Sequence, residues 1–193
     1  MPNWCSTAYV IEGDAKEVKG LYELMKGLQE REKPSVKNGF GTTWLGCLVD
    51  ALGSDWNTIQ CRGAWSGLEM IDDTLRFTTE TAWAPCVETF DLVCEKFPSI
   101  RYFYQTEEPG AEMYETNDRD GKYFSDKYLV DLDTPDKEYY HECFSDLPSL
   151  YEYLEDIFER SVQSEDDVNA MVEQWQQDSN SAYCNIYQFQ IVD

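Results

Sequence analysis

The chain alternates between strand-like and helix-like hydrophobic patterns along its first 130 residues. Residues 4–12 alternate apolar and polar side chains up to Gly13, a pattern that predicts a strand. From residue 15 to about residue 31 the apolar side chains recur every three or four positions, which predicts an amphipathic helix with Asp14 as its N-cap. The first two elements are therefore a strand and a helix.

A short helical insertion and two further strands follow this helix. The insertion is predicted at about 40–53, where an apolar run ends at a glycine. Strands are predicted at 58–62 and 75–83, and as successive strands they should pair. In the second strand Trp83 falls on the same alternating face as Leu75, so its side chain is expected in the core.

The remaining elements of this part complete a recognisable order. A helix is predicted from Ala84-Pro85 to Pro98, a strand at 100–107, and a hairpin of 111–116 with 123–130 around a turn at 117–121. The order strand, helix, strand, strand, helix, strand is typical of a ferredoxin-like α+β sandwich, in which helices cover one face of an antiparallel sheet. We therefore assign residues 1–131 to a ferredoxin-like domain with an extra hairpin.

The final third of the chain has a different pattern. Helices are predicted at about 148–160 and from Ser164 onwards, followed by a strand at about 182–192. The strand has an apolar-leaning face, so it should add to the main sheet. Residues 132–193 are thus expected to form an acidic helical extension with a final strand, packed on the same domain.

The composition indicates a folded chain, and its charge argues against nucleic acid and membranes as partners. With 42% hydrophobic and 15% aromatic residues among 193, the chain has enough apolar side chains to fold despite a net charge of −23. That charge repels phosphate backbones and anionic membrane surfaces, so we expect no direct binding to nucleic acid and none to membranes. Residues 101–193 hold 23 acidic and 6 basic residues, so most of the net charge lies in the second half.

The cysteines and the single histidine argue against a cofactor or a metal. The seven cysteines form no C-x-x-C pair and do not have the spacing of a secreted disulfide scaffold, which favours reduced thiols. His141 has only Cys143 nearby, too few soft ligands for zinc. The N-terminal residues lack the pattern of a signal peptide, and no apolar run approaches 18 residues. We therefore expect a cytoplasmic protein without cofactor or metal.

Several short segments carry a resemblance to a known family. They are Met1-Pro2-Asn3-Trp4-Cys5, Trp44-Leu45-Gly46, Thr79-Glu80-Thr81-Ala82-Trp83 with Pro85-Cys86, Glu107-Glu108-Pro109-Gly110, and Tyr114-Glu115-Thr116-Asn117-Asp118 followed by Gly121-Lys122-Tyr123-Phe124. Together they resemble the YubB-like family, over roughly residues 1–130. The resemblance implies a ferredoxin-like domain of the kind found on phages, plasmids and in bacterial genomes, and implies no activity and no catalytic residues.

One acidic cluster falls on predicted strands and tight turns rather than on a helix. Its members are Glu107, Glu108, Glu112, Glu115, Asp118 and Asp120. A calcium loop aligned on Gly121 would place Lys127 at its twelfth position, where a bidentate Glu belongs, so the cluster does not match that motif. Asp118 and Asp120 are instead typical turn formers.

The same cluster fits general acid–base catalysis poorly but could contact a partner. Glu107 and Glu108 are neighbours on a strand and point to opposite faces, so they cannot share a proton. Carboxylates on exposed strands and turns can bind a basic protein surface. We therefore take the six acidic residues as the candidate partner-binding site.

Two classes of function follow from these observations. The first is a non-enzymatic interaction protein that docks on a basic surface; in one version it mimics nucleic acid on a nucleic-acid-handling protein. The alternative is a small-ligand-binding protein or an enzyme with a pocket between the sheet and the helical insertion, lined by tryptophans such as Trp44. A Cys143 nucleophile with His141 as base is a further possibility within that alternative, set against a structural histidine. The sequence specifies no oligomeric state.

Overall fold

The computed structural model describes residues 3–178 and 181–192, and these divide into two compact units. Unit 1 takes in the described residues up to Asp118 together with Val192, and unit 2 runs from Arg119 to Ile191. Both units are α+β, with five α-helices in the described part of the chain and antiparallel pairing between the strands of each sheet. Each unit has its own hydrophobic core.

Unit 1 is built on a five-stranded antiparallel sheet with three helices. Its strands are β1 (Trp4–Glu12), β2 (Gly63–Ile71), β3 (Thr74–Ala82), β4 (Arg101–Glu108) and β5 (Met113–Thr116), and its helices are α1 (Ala15–Gln29), α2 (Leu45–Ala51) and α3 (Val87–Lys96). A 3-10 turn at Pro109–Ala111 joins β4 to β5. The strands lie in the order β2-β3-β1-β4-β5, and each pairs antiparallel with its neighbour.

The main core lies on the sheet face formed by the odd-numbered residues of β1. Tyr9 stands opposite Phe77 of β3 and Tyr104 of β4. Its ring centroid is 5.3 Å from that of Phe77 and 4.1 Å from that of Phe90 on α3. Helix α1 contributes its predicted apolar stripe to the same core, with Leu21 fully buried. Aromatic packing therefore fixes the helices on this face.

The beginnings of β1 and α1 follow the predicted pattern. Asp14 is the N-cap of α1, because its Oδ1 accepts a hydrogen bond of 2.9 Å from the Lys16 N–H. The Asp14 N–H donates to the Ser99 hydroxyl at 2.9 Å, which ties the start of the helix to the loop between α3 and β4. These two elements are confirmed with bounds close to those expected.

The second strand is displaced from its predicted position. The strand predicted at 58–62 is wrong, because the partner of β3 is Gly63–Ile71. Its alternation is hidden by a bulge between Ser66 and Glu69, where Gly67 has a φ of +65°. A Cβ at Gly63 would overlap the backbone of β3, so only glycine permits that close pairing.

The expectation that Trp83 belongs to the core is also wrong. Strand β3 ends one residue earlier, at Ala82, and Trp83 has a φ of +75° with 52% of its side chain exposed. The Trp83 N–H still donates to the Asn3 carbonyl at 3.0 Å, after which the chain turns back. A positive φ at a bulky residue costs about 1–3 kcal/mol, and alternation alone does not predict it.

Unit 2 contains a second antiparallel sheet and two helices. Its elements are β6 (Tyr128–Asp133), β7 (Tyr139–Phe144), α4 (Leu147–Phe158), α5 (Glu165–Asp178), β8 (Tyr183–Gln188) and the two-residue strand β9 (Gln190–Ile191). The sheet order is β7-β6-β8. Both helices were expected from their periodicity, and their buried residues, such as Leu154 and Val168, pack with Val130 and Leu132 of β6. No helix in the described ranges is long and apolar enough to cross a membrane.

The predicted hairpin of 111–116 with 123–130 is wrong. Strand β5 pairs with β4, whereas β6 pairs with β7 and β8. The side chain of Asn117 explains the difference, because its Oδ1 accepts from the Tyr104 N–H at 2.7 Å and its Nδ2 donates to the Tyr102 carbonyl at 3.0 Å. An asparagine expected in a hairpin turn therefore extends the pairing of β5 along β4.

The last strand follows its prediction only at its end. Val192 donates its N–H to the Thr116 carbonyl at 2.9 Å, as expected for an addition to the main sheet. Residues Tyr183–Gln188 pair instead with β6 in the second sheet, so for them the expectation is wrong. An apolar face on a strand shows that a sheet covers it but does not show which sheet.

Candidate interaction surface

The predicted acidic residues on β4 lie on opposite faces of the sheet. Glu107 stands opposite Ser6, on the face away from Tyr9, and is half-buried. Glu108 is on the core side and is only 1% exposed. Its Oε1 accepts a hydrogen bond of 2.9 Å from the Gly110 N–H, so this carboxylate caps the 3-10 turn. A side chain enclosed in this way cannot reach a protein partner.

Of the other four acidic residues, one is buried, one is half-buried and two are exposed. Glu115 stands opposite Thr106 on the core side of the sheet and is half-buried, and Asp118 is 3% exposed. Glu112 is exposed with a φ of +52°, and Asp120 of unit 2 is exposed in a turn. The members in unit 1 therefore do not form one continuous acidic face.

Burial and Glu115 together influence a tyrosine on the neighbouring strand. The phenol of Tyr104 is buried in the core, and burial, with the carboxylate of Glu115 nearby, raises its pKa to about 12. Tyr104 therefore stays neutral at physiological pH. It acts as a packing residue, with its ring 5.8 Å from that of Tyr9.

The strongest concentration of exposed acid lies in unit 2. Between residues 138 and 178 the chain has 12 acidic residues, and Arg160 is the single Lys or Arg. Both helices in this stretch bury an apolar stripe, so their polar sides face outwards. Exposed carboxylates of the stretch include Glu138, Glu142, Asp146, Glu152, Asp156, Glu159, Glu165, Asp166 and Glu173.

Some acidic residues of unit 2 hold the helix ends in place. Asp146 is the N-cap of α4 and accepts a hydrogen bond of 2.9 Å from the Ser149 N–H, a bond that lowers the pKa of its carboxyl. Asp167 accepts from the Gln163 N–H at 3.0 Å, and this bond lowers its pKa in the same way. Glu155 accepts from the Val162 N–H at 3.0 Å beyond the end of α4. These three acids therefore have a structural role in addition to their charge.

An open groove runs along one side of α4. It has a volume of about 500 Å³ and is lined by Leu147, Pro148, Tyr151, Glu152, Glu155, Val162 and Gln163. The lining combines apolar surface with two carboxylates and contains no basic residue. Partial burial, with Glu165 close by, raises the pKa of Tyr151. The groove suits an elongated group with an apolar stem and a positive end.

The cysteines of both cores are poorly suited to nucleophilic catalysis. Burial raises the pKa of Cys61 to about 11, and the pKa values of Cys86 and Cys184 to about 12. Burial also raises the pKa of Cys5, whose Sγ lies 3.0 Å from the Thr106 hydroxyl. A thiol must ionise to act as a nucleophile, so burial disfavours that role for all four.

Strand β7 brings the candidate pair Cys143 and His141 onto one face. Cys143 stands opposite Leu129 and is exposed, and His141 stands opposite Asp131. The Nδ1 of His141 lies 3.7 Å from the Asp131 Oδ1 and 3.2 Å from the hydroxyl of Tyr139. The imidazole therefore lies within hydrogen-bond distance of a phenol and near a carboxylate that is too far away for a hydrogen bond.

The helical insertion and its tryptophans pack into the core of unit 1. Trp44 and Trp65 are buried, and the ring of Trp56 packs 5.2 Å from that of Trp44 at an angle of 68°. The apolar residues of α2, such as Leu48, belong to the same core as Tyr9. These tryptophans are core residues of unit 1.

Comparisons with known proteins add no relative on which to base a function. Neither the protein-family models, nor the curated proteins, nor the solved structures contain a significant match to this chain. Within the described ranges, no group of three or more His, Cys, Asp or Glu side chains is arranged to hold a metal ion.

Proposed function

We propose that this is a non-enzymatic interaction protein whose acidic unit 2 binds a basic protein surface. The observation that carries the proposal is the stretch 138–178, with 12 acidic residues against Arg160 alone, on elements whose apolar sides are already buried. Carboxylates in such a number repel one another, and a basic partner would relieve that repulsion. The groove along α4 adds apolar contact area to the charge.

Electrostatic attraction gives this interaction a characteristic behaviour. Exposed opposite charges speed up association and orient the partners, while added salt screens them. Complementary charge alone provides limited affinity at exposed positions. The apolar side chains of Leu147, Pro148 and Tyr151 in the groove would supply the part of the binding that salt does not remove.

We also propose that unit 1 has a ferredoxin-like arrangement. The strand order β2-β3-β1-β4, antiparallel throughout, supports it, as does the packing of α1 and α3 on the face of Tyr9. Strand β5 would then be an addition at the edge. Together with the resemblance to the YubB-like family, this fits an origin on a mobile element, and a partner that handles nucleic acid, bound in place of its substrate.

A pull-down with matched charge variants tests the proposal for unit 2. Tagged protein is incubated with bacterial lysate at about 50 mM and about 500 mM salt, and retained proteins are identified by mass spectrometry. The unit 2 variant carries Glu142→Gln, Glu152→Gln, Asp156→Asn and Glu173→Gln. The control carries Glu23→Gln, Glu32→Gln, Asp50→Asn and Asp73→Asn, all exposed positions of unit 1.

The two variants change the net charge equally, so they separate a specific surface from bulk charge. We expect a basic protein that wild type and the unit 1 variant retain at low salt and that the unit 2 variant loses. Equal loss from both variants, or retention by the unit 2 variant, would contradict the proposal.

A further inference from the structure

Two tryptophans lie exposed at the same end of the sheet in unit 1. Trp4, the first residue of β1, is 46% exposed and stands opposite Ala82, the last residue of β3. Trp83 follows directly and is 52% exposed. Indole rings of this size are normally buried to a large extent. Two of them at one strand end, outside the core, indicate a contact site.

The backbone at Trp83 makes its exposure unusual. Its φ of +75° is a conformation that glycine adopts without strain and that a bulky residue rarely adopts. The surrounding chain enforces it, because the Trp83 N–H donates to the Asn3 carbonyl and the Thr81 hydroxyl donates to the Ala84 carbonyl at 2.8 Å. Glycine at position 83 would relieve the backbone strain. The indole that is present instead gains little stabilisation from burial, because about half of it is exposed. Such conflicts are expected at functional sites.

Two carboxylates flank the next residue of β1 on the face of Trp4. Ser6 is the next residue of β1 on that face, with Glu80 of β3 opposite it on one side and Glu107 of β4 on the other. Glu80 is exposed and lies diagonally across from Trp4, a separation of roughly 7–8 Å between such positions. Trp4, Ser6 and Glu80 therefore lie on one face of the sheet.

We propose that Trp4, Trp83 and Glu80 bind an arginine side chain of a partner protein. A guanidinium group stacks on an indole face by a cation–π interaction and donates two parallel hydrogen bonds to a carboxylate. The negative charge of this face, and of the chain as a whole, favours a cation over an apolar group. Arginine fits better than lysine because its planar head can stack and bridge at once.

This site is separate from the acidic surface of unit 2. It depends on two indoles and one carboxylate of unit 1 and requires none of the residues between 138 and 178. It therefore goes beyond the proposed function, and the two can fail independently.

Nuclear magnetic resonance of the full chain tests the arginine site directly. The probe is a short peptide of alternating glycine and arginine, and the control probe has citrulline, which keeps the shape and lacks the charge. The indole N–H signals are assigned with Trp4→Phe and Trp83→Gly. We expect the signals of Trp4 and Trp83 to shift saturably with the arginine peptide and to require at least about tenfold more of the citrulline peptide.

Variants separate binding from folding at this site. Trp83→Gly relieves the positive φ, so we expect a melting temperature equal to or above that of wild type together with weaker binding of the arginine peptide. Asp72→Gly is the matched control, since Asp72 also has a positive φ, +52°, but carries no ring; its binding should equal that of wild type. Glu80→Gln should weaken binding severalfold.

Three results would overturn the arginine site. The first is equal binding of the citrulline and arginine peptides. The second is unchanged arginine binding in Trp83→Gly. The third is a set of shifts confined to unit 2, which would leave the proposed function of unit 2 in place and show that arginine is attracted there instead.

Discussion

The two units differ in their density of charge and in the size of their hydrophobic cores. Unit 1 has 21 acidic and 10 basic residues in its share of the chain, and unit 2 reaches nearly the same net charge, −12 against −11, with far fewer residues. Unit 1 also has the larger core, with stacked aromatic rings around Tyr9, whereas the core of unit 2 is mostly aliphatic. A small core contributes less to the free energy of unfolding, and a dense surface charge lowers it further through repulsion. The larger core and the higher density of net charge therefore lie in different units of this chain.

The largest effect is expected from removing an aromatic ring of the unit 1 core. Phe90→Ala deletes the ring packed 4.1 Å from Tyr9 and should lower the free energy of unfolding by about 3–5 kcal/mol. Urea unfolding followed by circular dichroism measures the change. A loss below about 1 kcal/mol would show that the core repacks easily and would weaken the contrast between the units.

A cavity in the other core should act mainly on unit 2. Leu154→Ala removes a fully buried side chain of α4 and should cost about 2–5 kcal/mol. Hydrogen exchange measured by mass spectrometry should lose protection over 128–188 more than over 4–116. Equal loss in both ranges would mean that the two units unfold together, against the comparison.

Neutralising carboxylates of unit 2 should stabilise the protein, whereas the truncations of core side chains destabilise it. The fourfold unit 2 variant described above removes like-charge repulsion and should raise the melting temperature by a few degrees at low salt, with a smaller rise at high salt. The unit 1 variant, which removes the same number of carboxylates, should have a smaller effect. Differential scanning calorimetry measures the melting temperatures of both variants. A lower melting temperature for the unit 2 variant than for wild type would show that its carboxylates stabilise the fold.

The helix caps of unit 2 predict an effect of acid. Since hydrogen bonds lower the pKa of Asp146 in the folded state, its contribution to stability is fully present above the ordinary pKa of about 4 and is lost as pH falls through the lowered value. Asp146→Asn keeps an acceptor at the N-cap but does not titrate, so the acid sensitivity of α4 should decrease. Circular dichroism from pH 5 down to pH 2 measures this; identical curves for both proteins would contradict it.

The smallest effect concerns the reactivity of thiols. Because burial raises the pKa of Cys86 and Cys184 to about 12, iodoacetamide at pH 8 should label these residues far more slowly than exposed Cys143. Peptide mapping gives the rates. Labelling of Cys86 as fast as that of Cys143 would show that its surroundings open readily.

Sequence patterns predict best where one face of an element is buried and the other is exposed. Strands β1, β3 and β4 and helices α1, α4 and α5 were expected from their periodicity, and their positions are confirmed within a few residues. The position of strand β2 is not predicted correctly, because Gly67 and its bulge interrupt the alternation of apolar and polar residues. Strand β7 is not predicted from the sequence. Both its faces are half-buried or exposed, so its apolar pattern is weak.

Pairing and exposure depend on distant parts of the chain, which a local pattern does not contain. The hairpin prediction failed at Asn117, whose side chain bonds to the backbone of β4 instead of forming the turn. The acidic cluster is predicted from its density on strands and turns, which does not show that Glu108 is enclosed. The charge run at 138–178 was visible in the sequence, and it points to the region where the groove lies.

Site-specific photo-crosslinking from both units tests directly whether unit 2 binds a basic protein. A photoreactive phenylalanine derivative replaces Glu152, in the groove of α4, or Glu23, an exposed residue of α1. We expect that, at about 50 mM salt in bacterial lysate, position 152 cross-links to a basic protein and position 23 does not, and that about 500 mM salt lowers the yield of the adduct. Adducts of equal yield from both positions, or from position 23 alone, would contradict it.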